Sequence, residues 1–296
     1  MTPPNFPSPA GTLRAILERG EFVVAPGVYE MFSAKIADRM DFPALYMTGY
    51  GVSASHLGQP DAGLVGFTDM QGRARTIAQG TSKPLIADAD TGFGGLINIR
   101  HTVRGYEEAG VQAIQLEDQE SPKKCGHTPN RRVVPLADAV RRIEVAVDSR
   151  RSKDFLVIAR TDARTAHGLD EAIARGRAFA RAGADIVFVE SPESEDEFKR
   201  IGAELAGCGA WLIANMVPTG RSPELPAARL KELGFALAIW PGVLMQTACA
   251  AMESALAYLA AKGTTAGTPV PYCDMKKLHE LVGFEDVWAF EKKYAQ

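Results

Sequence analysis

The stretch FLVIARTDARTAHGLDEAIARGRAFARAGADIVFVE, residues 155–190, reads as one strand, helix and strand unit. Residues 155–160 are a short apolar and β-branched run, 169–182 carry helical spacing closed by Gly183, and 185–190 form a second apolar run. Working outward, the pattern recurs. Eight such runs, at 22–25, 44–48, 84–88, 113–117, 155–160, 185–190, 211–215 and 236–240, are separated for the most part by helical segments such as 98–109, 136–150, 194–205 and 223–233, with Gly110 and Gly234 closing two of them. Right-handed crossovers bring successive strands into one parallel sheet, and eight units in 296 residues predict an α/β fold of the (β/α)8 TIM barrel type. An open doubly wound sheet is the alternative. The expected organisation is a single barrel domain over 1–296, with 121–134 as an active-site lid loop and 273–296 as a C-terminal helical extension.

Composition narrows the function. With 46% hydrophobic residues the chain can bury a sizeable core, and a formal net charge of −3 with dispersed basic residues argues against nucleic acid as the main partner. Residues 1–10 lack the basic start and apolar stretch of a secretory signal, and no run of eighteen apolar residues is present, so no membrane partner and a cytoplasmic location are expected. Cys125, Cys208, Cys249 and Cys273 are widely spaced without a C-x-x-C pair, which predicts reduced thiols rather than disulfides or a zinc site.

Thr48, Asp88, Asp90, Glu117, Asp118, Arg160, Asp162, Glu190, Asn215 and Trp240 all fall at or just past the carboxyl end of a predicted strand, where barrel enzymes assemble their sites. Asp88 and Asp90, two apart, should face the same way. With Asp61 in a preceding loop and Glu117 on the next strand they make an oxygen-rich site suited to Mg2+, or Mn2+, which takes one or two carboxylates directly and the others through water. Lys123-Lys124-Cys125-Gly126-His127 then offers a thiol between basic groups, a layout for acid–base chemistry on an anionic small molecule.

Residues 46–55 (YMTGYGVSAS), 57–61 (LGQPD), 88–95 (DADTGFGG), 115–118 (QLED) and 123–127 (KKCGH) together resemble the isocitrate lyase and phosphoenolpyruvate mutase superfamily, over roughly residues 22–294. The resemblance implies a (β/α)8 barrel whose C-terminal helix is exchanged between subunits, usually in a dimer of dimers, so a homotetramer. It also implies a Mg2+-dependent lyase that cleaves a 2-hydroxy dicarboxylate or tricarboxylate, of the 2-methylisocitrate, 2,3-dimethylmalate or 2-alkylmalate type, to a 2-oxo acid such as pyruvate plus a carboxylate. Asp88 is the implied direct metal ligand, with Asp61, Asp90 and Glu117 acting through water. The backbone of Gly49 and Tyr50, the Thr48 hydroxyl and Arg160 bind the substrate carboxylate, with Gly126, Asn215 and Pro241 also lining the site. Cys125 is the general acid, its thiol tuned by Lys123, Lys124 and His127; Glu190 joins the catalytic set. Tyr46 matches the position of the proposed base, a role its phenol, with an ordinary pKa near ~10, fills only if cations stabilise the phenolate.

Within the superfamily the KKCGH form is that of the carbon–carbon lyases, and Pro241 stands where the oxaloacetate hydrolase branch has serine. Thr48-Gly49-Tyr50 is similar to the 2-alkylmalate lyases, whereas residues 126–131 look more like methylisocitrate lyase. Pro218-Thr219-Gly220 departs from the usual Glu-Gly-Gly, and Gly242 from a commoner Leu-Ser, changes that widen the pocket. An oxaloacetate hydrolase or decarboxylase, or a phosphonopyruvate-type enzyme, remains the alternative on this scaffold. A non-catalytic 2-oxo acid binding protein is the alternative of another class.

Overall fold

A computed structural model describes residues 11–126, 128 and 130–295. It contains β1 (Val23–Val28), β2 (Leu45–Met47), β3 (Leu85–Asp88), β4 (Ala113–Glu117), β5 (Leu156–Thr161), β6 (Ile186–Val189), β7 (Trp211–Asn215) and β8 (Leu237–Trp240). These close as a barrel in sequence order, β8 pairing parallel with β1. Every predicted strand is therefore present, within three residues at each end. The helices are α1 (Leu13–Glu18), α2 (Met31–Asp38), α3 (Gly49–Leu57), α4 (Phe67–Gly80), α5 (Leu96–Glu108), α6 (Leu136–Ser149), α7 (Ala163–His167), α8 (Leu169–Arg181), α9 (Glu195–Leu205) and α10 (Ala227–Glu232). After them come α11 (Val243–Lys262), α12 (Met275–Val282) and α13 (Phe284–Tyr294).

The period of two along each strand divides the core into two layers. Val23, Ala25, Tyr46, Ile86, Ala113, Ile158, Phe188, Ile213 and Ile239 fill the barrel interior. Their sequence neighbours Leu45, Met47, Leu85, Ala87, Ile114, Val157, Val187, Ala214 and Ala238 pack outward with the helices. The same parity carried to the strand ends turns Asp88, Gln115, Glu117, Arg160, Glu190 and Asn215 inward. It turns Trp240 outward, where its ring packs against the outer layer and its indole N–H donates to Glu224 at 2.9 Å. Glycine is required where αL turns end the helices, at Gly110, Gly183 and Gly234, with φ of 91°, 94° and 91°.

The chain divides into two compact units, with the boundary between Met245 and Gln246. Sequence periodicity predicted one amphipathic helix over 275–294; instead Gly283, at φ 88°, ends α12 and begins α13. Helix α11 was not anticipated. Its apolar residues are interrupted by Gln246 and Glu253, yet by length and composition it is able to span a membrane, and none of its residues is buried. In the second unit Met252, Leu256, Trp288 and Phe290 are all more than half exposed.

Candidate active site

The acids of the site come from β3, β4 and the loop after α3. Asp88 ends β3, and the chain then turns through Asp90, whose φ of 50° lies in the left-handed region. The two carboxylates meet because of this turn rather than because of the pleat: the Asp90 N–H donates to Asp88 Oδ1 at 3.0 Å. Asp61 is buried and fixed through its backbone, its carbonyl accepting from the Cys125 N–H at 3.0 Å. Glu117 is buried at the end of β4, with Oε2 3.5 Å from Arg160 Nε and Oε1 without a hydrogen-bond partner among the described residues.

Lys123 reaches into this cluster. Its ammonium lies 2.5 Å from Asp61 and 2.7 Å from Asp90, so it is committed to the acids rather than reserved for the Cys125 thiol. Burial works to lower the Lys123 pKa, but Asp90, Asp61, Glu117 and Asp88 together hold it well above the ordinary lysine value. One ammonium does not neutralise the group. Burial, reinforced by Asp88 and Asp61 and opposed by Lys123, pushes Asp90 up to about 7, and burial also drives Glu117 well above the usual carboxylate range. The set suits a hard cation: all donors are oxygens, negative charge exceeds positive, and Glu117 Oε1 is left over. No three of the described acidic, His or Cys side chains converge as a ready cage.

Gln115, which the 115–118 motif contains without a role attached to it, bonds to Asp88. Its amide donates to Asp88 Oδ1 at 3.3 Å and its carbonyl accepts from the Tyr46 hydroxyl at 3.0 Å. Burial, and then Asp88, raise the Tyr46 phenol well above its ordinary pKa. Alternation on β4 was the available signal, since Gln115 shares the inward parity of Ala113 and Glu117.

Helix α3 starts at the site with Thr48 as its N-cap. First-turn N–H groups, here those of Gly49 and Tyr50, have no partner within the helix. A Cβ on Gly49 would lie 2.6 Å from Asp88 Oδ2, so only glycine lets the helix start approach this closely. The Tyr50 residue itself is 43% exposed.

The adjoining wall, on β5 next to β4, is built by arginines. Arg160, inward on β5, donates from Nε and Nη2 to Asp162 at 3.0 and 2.9 Å and stands 3.6 Å from Glu190. Burial opposes its charge, but Asp162, Glu190 and Glu117 raise its pKa well above the ordinary value. Asp162 is held below the usual range: burial raises it, and Arg160 and Arg131 more than offset that. Behind them Asp118 accepts from the Asp162 N–H at 2.9 Å and pairs with Arg175 of α8 at 2.9 Å. Asn215 donates to Glu190 at 3.1 Å.

The loop carrying Cys125 lies down on this wall. A Cβ on Gly126 would fall 2.4 Å from Arg160 Nη2, and the Gly126 carbonyl accepts from Ser191 Oγ at 3.0 Å. Cys125 is half-buried and in no disulfide. His127 lies outside the described residues. Pro241, half-buried at the end of β8, crowds Gly27, where a Cβ would meet its carbonyl at 2.2 Å. After β7 the chain turns at Thr219, with φ 61°, and the following carboxylate, Glu224, is bound to the outward Trp240.

Known proteins share the sequence pattern and fold of this chain. The phosphoenolpyruvate phosphomutase family profile matches residues 13–260. The chain is 47% identical over 286 residues to the 2,3-dimethylmalate lyase of Eubacterium barkeri, covering 97% of this chain and 98% of that protein. It is 37% identical over 288 residues to a 2-methylisocitrate lyase of Aeropyrum pernix, covering 97% and 91%. Its fold superposes on a solved oxaloacetate acetylhydrolase, in complex with the inhibitor 3,3-difluorooxalacetate, with TM-score 0.89 and 37% identity, covering 95% of each chain.

Proposed function

Because the chain belongs to the phosphoenolpyruvate mutase/isocitrate lyase superfamily, we propose that it is a Mg2+-dependent carbon–carbon lyase. Its substrate is a 2-hydroxy dicarboxylate of the 2,3-dimethylmalate or 2-alkylmalate type, and it releases pyruvate or another 2-oxo acid plus a carboxylate. The observation that carries this reading is the acid cluster and Arg160 side by side at one barrel mouth, with the Cys125 loop packed on Arg160, which supports a cation site beside an anion site. The 47% identity to a 2,3-dimethylmalate lyase, against 37% to a methylisocitrate lyase, supports the alkylmalate side.

Asp88 would hold Mg2+ directly, with Asp61, Asp90 and Glu117 acting through water; when bound, the cation supplies Lewis-acid stabilisation of negative charge on the oxo acid. The N–H groups of Gly49 and Tyr50 and the Thr48 hydroxyl bind the substrate carboxylate at the start of α3, and Arg160 binds from the other wall. Cys125 delivers a proton to the carbanion equivalent left by C–C cleavage, and Glu190 and Asn215 orient Arg160 and the substrate beside it. His127 follows Cys125 as a further proton-handling group. Tyr46 would take the substrate 2-hydroxyl proton once a bound cation offsets Asp88; without that cation burial and Asp88 keep the phenol protonated, donating to Gln115. Residues 121–134 serve as the lid of the site, on a single barrel domain whose extension is 273–296.

Assay of the released 2-oxo acid (pyruvate, or 2-oxobutanoate from 2-ethylmalate) by a coupled hydride-transfer reaction, with Mg2+ and 2,3-dimethylmalate, 2-ethylmalate, 2-methylisocitrate or oxaloacetate, tests the reading. Cysteine-dependent release of the 2-oxo acid from one hydroxy acid is expected. Oxalate and acetate from oxaloacetate alone would instead establish the hydrolase reading that the likeness to oxaloacetate acetylhydrolase favours. We also place the protein in the cytoplasm as a homotetramer in which the C-terminal helices are exchanged, a reading supported by the unburied faces of α11 and α13. Light scattering giving a monomer would overturn the assembly.

A further inference from the structure

We propose that Arg131 is a positioning residue that makes the orientation of Arg160 depend on the docked loop, through their shared partner Asp162. This rests on the lyase and lid reading above and adds a residue to it. Arg131 belongs to the loop after Cys125, yet its side chain is fully buried. Its Nη1 donates to Asp162 Oδ1, its Nη2 donates to Thr165 Oγ1, and Ser191 Oγ lies 3.5 Å from Nη2. Asp162 Oδ1 is also the oxygen that accepts from Arg160 Nη2. One carboxylate thus receives two guanidiniums, one from the barrel and one from the loop.

The charges give the arrangement its consequence. With the loop docked, Arg131 and Arg160 face Asp162, Glu190 and Glu117. If the loop departs it takes Arg131 with it, and Arg160 alone is left among three carboxylates that compete with a substrate for its donors. Arg131 takes over part of Asp162, so Arg160 has a face to offer to an anion. Two further contacts tie the loop to the same spot: the Gly126 backbone packs on Arg160 Nη2, and its carbonyl is held by Ser191, a non-glycine residue in the left-handed region at φ 58°. Arg131 is not a catalytic residue, since all its contacts are with protein groups behind Arg160.

The test compares wild type with Arg131→Leu and Arg131→Lys. Two readouts are taken: steady-state kcat and KM on the hydroxy acid turned over, and the rate of Cys125 alkylation by iodoacetamide with and without Mg2+ plus pyruvate. Peptide mass spectrometry resolves Cys125 from Cys208, Cys249 and Cys273, which act as internal controls. Pyruvate should slow alkylation of Cys125 in wild type. In Arg131→Leu that protection should be lost, with alkylation about 10-fold faster and kcat/KM down ~10- to 100-fold, chiefly through KM. Arg131→Lys should recover part of both, because it restores the charge without the fork. Protection in wild type that persists in Arg131→Leu with unchanged KM overturns the inference and leaves the lyase reading standing. No protection in wild type removes the lid reading and the inference with it. Should Arg131→Leu not fold, Thr165→Val, which removes one acceptor of the same guanidinium, carries the same expectations at smaller size.

Discussion

The two walls of the barrel mouth are both lined with buried aspartates, and their protonation is pushed in opposite directions. On the β3 side Asp61 and Asp90 share the single ammonium of Lys123, with Asp88 bonded beside them, and Asp90 rises to about 7. On the β5 side Asp162 is at least as buried but receives two guanidiniums, and its pKa falls. Burial alone raises both; the number and fork geometry of the cations decide the sign. The first wall carries more carboxylates than cations, an incomplete pairing, whereas the second is closed by the protein itself.

That contrast is broken most severely at the reacting groups. Asp88→Ala removes the central acid of the incomplete wall and should lower kcat by 1,000-fold or more, on the order seen for loss of a principal electrostatic group, with excess Mg2+ giving no rescue. Cys125→Ser should cost ~100- to 10,000-fold in kcat, the range of general acid–base catalysis, with Mg2+ affinity by calorimetry unchanged. Gln115→Leu keeps every acid but frees Asp88 and Tyr46 from each other. Its Mn2+ affinity by electron paramagnetic resonance should weaken about 10- to 100-fold, and an unchanged affinity would remove Gln115 from the site. On the closed wall Gly126→Ala drives a methyl against Arg160 Nη2 and should reduce kcat/KM while the melting temperature moves by only a few degrees, roughly 2–4 °C per kcal/mol for a chain this long.

The smallest effect is on stability against pH. An Asp whose folded pKa lies above its unfolded value of about 3.9 binds more protons folded than unfolded between those values, so its contribution to stability falls as pH rises through that window. For Asp90 the window runs from near 3.9 to about 7. Protein stripped with EDTA should therefore melt lower at pH 8 than at pH 6, and Mg2+ should raise the melting temperature more at pH 8. Asp162, shifted down, works the other way, and its contribution is lost only below the ordinary carboxylate range. A melting temperature independent of pH and of Mg2+ would mean that Asp90 has no excess of negative charge around it.

Much of the site was legible because barrel strands are short and alternate. A run such as 155–160 names its own inward residue, Arg160, and the eight carboxyl ends gather on one face whatever the loops do. Gln115 was legible by the same parity but carries no charge to draw attention. Arg131 and Arg175 were not legible: one lies on a loop and the other on α8, and each meets its aspartate only across distant chain segments. The closeness of Asp88 and Asp90 was foreseen for the wrong reason, since a left-handed turn rather than strand alternation brings them together. The second unit was read least well. Helix α11 lacks a polar face for periodicity to detect, and Gly283 splits what looked like one helix.

By itself the sequence determined the barrel, the inward residues of each strand and the oxygen-rich chemistry at their ends, because these follow from local periodicity and from side-chain type. The tertiary structure alone decided which group meets which: that Lys123 belongs to Asp61 and Asp90, that Asp162 is shared by Arg131 and Arg160, and that the Tyr46 hydroxyl bonds to Gln115. Electrostatic partnership depends on distance and burial between residues far apart in the chain, and neither is written in the spacing of residues along it.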